Sequence, residues 1–176
     1  MLEGKTVNLR IVEEEELPLV GEWLNDLDYF GKYNPIMQMC RTDLQKKHDN
    51  KSRDEGWFFI EKKDGSKVGN ISHYPVGRAQ EIGYAILPGE RKKGCCSEAV
   101  TIMVDYLFLS KYIVRIQAHT DVRNTGSQKV LEKAGFKKEG VVRKDVFFWG
   151  EWRDGCLYSI LREEWKKPKI LTRTEK

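Results

Sequence analysis

Ile86-Leu87-Pro88-Gly89-Glu90-Arg91-Lys92-Lys93-Gly94-Cys95-Cys96-Ser97-Glu98-Ala99 takes a hydrophobic strand into a basic, glycine-containing turn that opens directly onto an amphipathic helix. A helix start leaves backbone N–H groups without partners and carries a partial positive charge, so an anion lodged there gains hydrogen bonds and a favourable field together. Arg91, Lys92 and Lys93 crowd the same turn and add screened attraction for a diphosphate. The segment taken alone is equally compatible with a solvated basic loop between strand and helix.

A second segment, Asn124-Thr125-Gly126-Ser127-Gln128-Lys129-Val130-Leu131-Glu132-Lys133-Ala134-Gly135-Phe136, reads as a short capped helix. Asn124 is a good N-cap, Val130, Leu131 and Ala134 form an apolar side, and Gly135 stops the helix. Around the two lie Glu81-Ile82-Gly83-Tyr84, Glu139-Gly140-Val141-Val142-Arg143 and Gly150-Glu151-Trp152-Arg153-Asp154. In this order and spacing the set resembles the GNAT superfamily of N-acetyltransferases, and within it the RimJ/RimL branch that acetylates N-terminal amines of ribosomal proteins. The turn matches the family's Arg/Gln-x-x-Gly-x-Gly/Ala signature at Arg91, Gly94 and Cys96. Cys96 stands where Gly or Ala is usual and leaves less room for backbone to approach a pyrophosphate.

Length and composition fit one compact domain: 176 residues with 40% hydrophobic content can bury a substantial core. The expected body is 1–167, followed by a polar basic tail, 168–176, that leaves it at Pro168. No apolar run reaches the roughly 18 residues of a membrane span, and Met1-Leu2-Glu3-Gly4-Lys5 does not read as a signal peptide, so a cytoplasmic protein is expected. The net charge of +4 lies mostly near the end, since residues 162–176 hold six cations and three anions. The body therefore carries no electrostatic footprint for nucleic acid. Cys40, Cys95, Cys96 and Cys156 show neither C-x-x-C pairing nor metal spacing with His48, His73 or His119, and no metal is expected.

Along the chain, Thr6–Val12 alternates as a strand, and Leu17, Val20, Leu24 and Leu27 recur at helical spacing after an acidic start. Tyr29–Met39 reads as an aromatic loop, and Thr42-Asp43-Leu44-Gln45 has capping-box spacing for a second helix. Gly56–Lys62 and Lys67–Tyr74 flank the turn Lys63-Asp64-Gly65-Ser66. A strand is expected at Glu81–Leu87, a long helix at Ser97–Ser110, a strand at Tyr112–Thr120, and a last hairpin of Val141–Trp149 and Trp152–Leu161. The order gives an α+β domain built on one mixed, mostly antiparallel sheet with helices on both faces. The resemblance implies a splayed central strand pair that admits a pantetheine arm beside Ile86 and Leu87.

The resemblance also implies acetyl-CoA as cosubstrate, held by Ile86, Leu87, Arg91, Lys92, Lys93, Gly94, Cys95, Cys96, Ser97, Asn124 and Ser127. Acetyl transfer needs a neutral amine and a departing thiolate. An α-amine, with a pKa near 8, is about one tenth neutral at pH 7, a cost of little over 1 kcal/mol, whereas a lysine-type amine costs about 4.6 kcal/mol. The thiol, near 8.5, needs modest help to leave, so orientation supplies much of the acceleration. Glu81 is the implied base, against an alternative as a strand-end carboxylate paired with lysine. Ser127 is the implied partner of the departing sulfur, against an alternative as a first-turn serine serving backbone donors. Asp145, Glu151 and Asp154 near the last hairpin suit either a cationic acceptor or turn solvation. Tyr29–Pro35, with His73 and Tyr74 opposite, suits acceptor specificity or a covered core edge, and His73 is a second candidate base. The expected reaction is acetylation of a primary amine, foremost a protein or peptide N-terminus, including a ribosomal protein. A small amine such as a polyamine, amino sugar or aminoglycoside is the alternative acceptor, and a non-catalytic acyl-CoA-binding module the alternative class. A sheet edge also offers room for a homodimer.

Overall fold

The computed structural model describes residues 1–171. Eight strands form one sheet: β1 (Leu2–Glu3), β2 (Val7–Ile11), β3 (Gly56–Lys62), β4 (Lys67–Val76), β5 (Ala79–Ile86), β6 (Arg115–Asp121), β7 (Lys137–Phe148) and β8 (Glu151–Leu161). Their order is β1-β2-β3-β4-β5-β6-β8-β7, with every neighbouring pair antiparallel except β5 and β6. The five α-helices are α1 (Leu17–Asn25), α2 (Leu27–Phe30), α3 (Arg41–Asp49), α4 (Cys95–Ser110) and α5 (Thr125–Lys133).

Strand alternation sends neighbouring residues to opposite faces and so builds two cores. Phe58, Ile60, Ile82, Ile86, Ile116 and Ala118 pack with Val100, Met103, Val104, Leu107 and Phe108 of α4 and Leu131 of α5. Phe59 and Ala85 face the other way and pack with Leu17, Val20, Trp23 and Leu24 of α1, Tyr29 of α2 and Leu44 of α3. Helices thus cover both faces.

Several boundaries differ from the sequence expectation. The aromatic segment after α1 is partly helical, in α2 and a 3-10 turn at Gly31–Tyr33. No Thr42 capping box forms: α3 begins at Arg41 after an extended Cys40, a phase that lets Leu44 bury to 3% exposure. The strand expected from Tyr112 begins only at Arg115, where pairing with Leu161 starts. The preceding carbonyls of Phe108, Lys111 and Ile113 are taken by the Arg162 guanidinium, and Tyr112 stands fully exposed. β7 starts four residues before Val141, at Lys137. The chain also stays docked beyond Pro168: the buried Asp105 carboxylate accepts from the backbone N–H of Lys169 and Ile170 and from Trp165 Nε1. The rest of the expected tail, 172–176, lies outside the described residues.

One feature of the sheet creates the cleft beside α4 and α5. β5 pairs with β4 along its whole length, to Gly69 opposite Ile86, but with β6 only at Gln80–Ile116 and Glu81–Gln117. From Ile82 onward β5 and β6 separate and a wedge opens between them.

Candidate active site

The wedge continues into a cleft of about 970 Å³ walled by β5, the turn before α4, the start of α5, the loop 29–35 and the hairpin of β7 and β8. Gly94 caps α4 with φ of +89°, a left-handed conformation that glycine adopts without strain, and offers no side-chain cap. Lys92 is left-handed as well, with φ of 65°. Among the described residues, the backbone N–H groups of Cys95, Cys96 and Ser97 donate to no protein acceptor, the first paired one being Glu98 N–H to Gly94 O. Three free donors at the positive end of a sixteen-residue helix are an arrangement that could hold a diphosphate, and all three residues wall the cleft. Cys96 leaves the seat open; its thiol is largely buried and pushed up to about 12 by that burial, hence neutral.

The three cations of the turn divide their tasks. Lys92 walls the cleft, whereas Lys93 turns to Glu90, 3.3 Å away. Arg91 also lines the cleft, yet its guanidinium donates to the carbonyls of Ile86 (3.1 Å), Asp28 (2.8 Å) and Tyr29 (2.6 Å), tying the turn to α2. Leu87 departs from its expected position because strand alternation turns its N–H to Val68 O of β4, whereas Ile86 stays on the cleft wall.

Asn124 caps α5, its Oδ1 accepting from Ser127 N–H at 3.1 Å. The Ser127 hydroxyl is therefore not needed by the backbone and instead meets the Tyr84 hydroxyl at 2.9 Å. Tyr84, on β5, spans the wedge to reach it, and burial raises its pKa well above the ordinary phenol, so it remains a proton donor. Its role was hidden in the sequence, although alternation with Ile82 and Ile86 puts it on the α4 side of the sheet. If Ser127 protonates the departing sulfur, as the resemblance implies, Ser127→Ala is expected to lower kcat about tenfold, near the low end for removing an acid catalyst, without changing the affinity for coenzyme A. Thiol release and calorimetry measure the two.

Glu81 is the third residue of β5 and lies outside the cleft wall. Its carboxylate accepts from Tyr74 OH (2.8 Å), Gln117 Nε2 (2.8 Å) and His119 Nδ1 (3.1 Å). No lysine pairs with it among the described residues. His119, on β6, does line the cleft. His73 instead sits in the core at 2% exposure between Phe58 and Tyr106, hydrogen-bonded to Gln80. Burial lowers its pKa, which marks a neutral structural histidine.

At the last hairpin, Asp145 lines the cleft, Glu151 is ion-paired with Arg123 and Arg153, and Asp154 accepts from Lys144 N–H. The Asp145 carboxylate lies over Gly155, where an added Cβ would collide with Oδ2. Arg153, buried against Asp121, reaches the Lys32 carbonyl, and Trp149 Nε1 donates to Asn34 O at 3.0 Å. The last hairpin thereby holds the loop 29–35 over the cleft. No three His, Cys, Asp or Glu side chains are grouped to hold a metal among the described residues, and no described helix is long and apolar enough to cross a membrane.

A family model described as "Acetyltransferase (GNAT) domain" matches residues 6–137. The chain is 34% identical over 181 residues to the probable N-acetyltransferase YjcK of Bacillus subtilis, covering 93% of this chain and 98% of that one. It is 31% identical over 112 residues, 62% of this chain and 58% of the relative, to the [ribosomal protein uS5]-alanine N-acetyltransferase of Escherichia coli. A crystal structure of a GNAT-family acetyltransferase from Bacillus anthracis superposes with a TM-score of 0.78 at 28% identity, covering 93% of this chain and 99% of that one.

Proposed function

We propose that this chain, which belongs to the GNAT acetyltransferase family, moves acetyl from acetyl-CoA onto the α-amine of a protein or peptide N-terminus. Acetyl-CoA supplies an activated acyl group as a thioester. The chain's own residues do the rest: the amides of Cys95, Cys96 and Ser97 and the cation of Lys92 hold the diphosphate, and Ile86 and Asn124 flank the arm. Ser127, backed by Tyr84, offers a proton to the leaving sulfur, and the amine's proton leaves towards Glu81 and His119.

The observation that carries the choice of acceptor is the cleft's single unpartnered carboxylate, in a wall that also holds Lys32, Arg91, Lys92, Lys129 and Lys133. Three carboxylates wall it; Glu90 is paired with Lys62 and Lys93, and Asp121 with Arg123 and Arg153. Among the described residues only Asp145 has no such partner. One unmatched anion suits one ammonium, as on a peptide N-terminus, whereas a polyamine carries several charges that would each need desolvation without a partner. An α-amine also loses its proton at a cost of little over 1 kcal/mol, which a site with a single weak base can meet. The resemblance over part of its length to an enzyme named for a ribosomal-protein alanine supports the same reading.

The test is a panel of N-terminal peptides, polyamines, amino sugars and aminoglycosides incubated with acetyl-CoA, followed by free-thiol release. Turnover with peptides is expected, and Asp145→Asn should raise the peptide KM about tenfold with little change in kcat. Efficient turnover of spermidine and none of peptides would reassign the acceptor. Binding of coenzyme A without turnover of any amine would leave a non-catalytic module.

A further inference from the structure

We propose that His119 takes the proton from the acceptor amine and that Glu81 is the residue that positions it. This rests on the acetyl-transfer reading above.

Three observations converge. The first is place: parallel pairing of β5 and β6 ends at Glu81–Gln117, and His119 lies two residues further along β6, at the start of the opening. The second is side. Ile116 and Ala118 of β6 are in the core beneath α4, so Gln117, His119 and Asp121 project from the opposite face. Tyr84 and Ser127 sit on the α4 side. A proton donor for sulfur and a proton acceptor for nitrogen therefore flank the wedge from its two faces, the separation that a transfer between two substrates requires.

The third is protonation geometry. A carboxylate only accepts, so the 3.1 Å contact with Glu81 Oε2 puts the ring hydrogen on Nδ1 of the neutral imidazole and leaves the Nε2 lone pair free. Glu81 is already engaged by Tyr74 and Gln117, and its side chain is 13% exposed against 33% for His119. The imidazole lines the cleft and the carboxylate does not. The charged groups sharing this face are Glu81 of β5, Arg115 and Asp121 of β6, Glu139 and Asp145 of β7 and Arg153 of β8; Arg115 is paired with Glu139, and Asp121 is neutralised by Arg123 and Arg153.

In the step itself the C–N bond forms and the C–S bond breaks. The nitrogen's proton passes to His119 Nε2, and the sulfur's proton comes from Ser127. The imidazolium then gives its proton to water, and a water proton restores Ser127.

The experiment compares wild type, His119→Ala and Glu81→Gln with the best peptide of the panel, reading kcat against pH, coenzyme A affinity and rescue by added imidazole. His119→Ala should lose about a hundredfold in kcat and the acidic limb of the profile, keep its coenzyme A affinity, and recover part of the loss with imidazole. Glu81→Gln should lose about tenfold in kcat and keep the limb, because the base remains and only its orientation is loosened. A His119→Ala enzyme that keeps both rate and limb while Glu81→Gln loses them makes Glu81 the base and overturns the proposal. Nitrogen-15 NMR of the neutral ring reads it without turnover: hydrogen on Nδ1 of His119 supports it, and hydrogen on Nε2 overturns it. Failure of wild type to acetylate any amine strikes the acetyl-transfer reading instead, and the ring measurement still decides the pairing.

Discussion

Gly94→Asp is expected to weaken coenzyme A binding by about a hundredfold while the chain stays folded. The φ of +89° at this position costs a side chain about 1–2 kcal/mol, and Asp is among the residues that tolerate it best. An added Cβ meets no atom within 4 Å, so no clash adds to that strain. The carboxylate would stand beside the unpaired amides of Cys95, Cys96 and Ser97 and compete for them with the diphosphate, besides repelling it. Hydrogen bonds to a charged group contribute about 1.5–3 kcal/mol each, and losing about 3 kcal/mol corresponds to a hundredfold in affinity. Calorimetric titration with coenzyme A measures the loss, and a melting curve verifies the fold. Unchanged affinity in a folded Gly94→Asp protein would remove the diphosphate from this turn. Lys92→Glu should weaken binding nearly as much as Lys92→Glu combined with Lys93→Glu, because Lys93 is already engaged by Glu90.

The largest effect on stability is expected from Asp121→Ala, about 3–5 kcal/mol, or a melting temperature lower by about 10 °C in a chain of this size. The Asp121 side chain is fully buried and Arg153 is 9% exposed, so removing the anion leaves the buried guanidinium with the half-exposed Glu151 as its one remaining carboxylate among the described residues. Asp121 also accepts from the Arg123 backbone N–H, shaping the turn that delivers Asn124 to the start of α5, and Arg153 holds the Lys32 carbonyl of the acceptor loop. Part of the activity should therefore fall with the stability. Burial works against the Asp121 charge, but hydrogen bonds from the Arg123 side chain and backbone outweigh it and hold the carboxyl below its ordinary range. The folded pKa is thus lower than the unfolded one, near 3.9, so this stabilisation is complete above about pH 4 and fades as the pH falls below it. Urea titrations at pH 7 and pH 3 should show the gap between wild type and Asp121→Ala shrinking at the lower pH; an equal gap at both would contradict the assignment.

Features that depend on a few consecutive residues were legible in the sequence. The period of Val100, Met103, Val104, Leu107 and Phe108 located the buried side of α4, and Asn124 and Gly135 bounded α5. The turn through Lys63-Asp64-Gly65-Ser66 joins β3 and β4 as expected. Where neighbouring signals were weak, the boundary moved: Cys40 rather than Thr42 precedes α3, because burying Leu44 outweighs a side-chain cap.

From its own residues the chain determined the basic turn, the helices on either side of the wedge and the alternation of its strands, because capping, periodicity and backbone conformation act over a few residues. Only the tertiary structure decided that Tyr84 meets Ser127, 43 residues away, and that Glu81 meets His119, 38 residues away. It likewise decided that Asp145 lies over Gly155 and that Arg91 holds α2. Those contacts follow from β8 lying between β6 and β7 and from the separation of β5 from β6. The order and register of strands distant along the chain is set by the packing of two cores at once, and no short stretch of sequence contains that information.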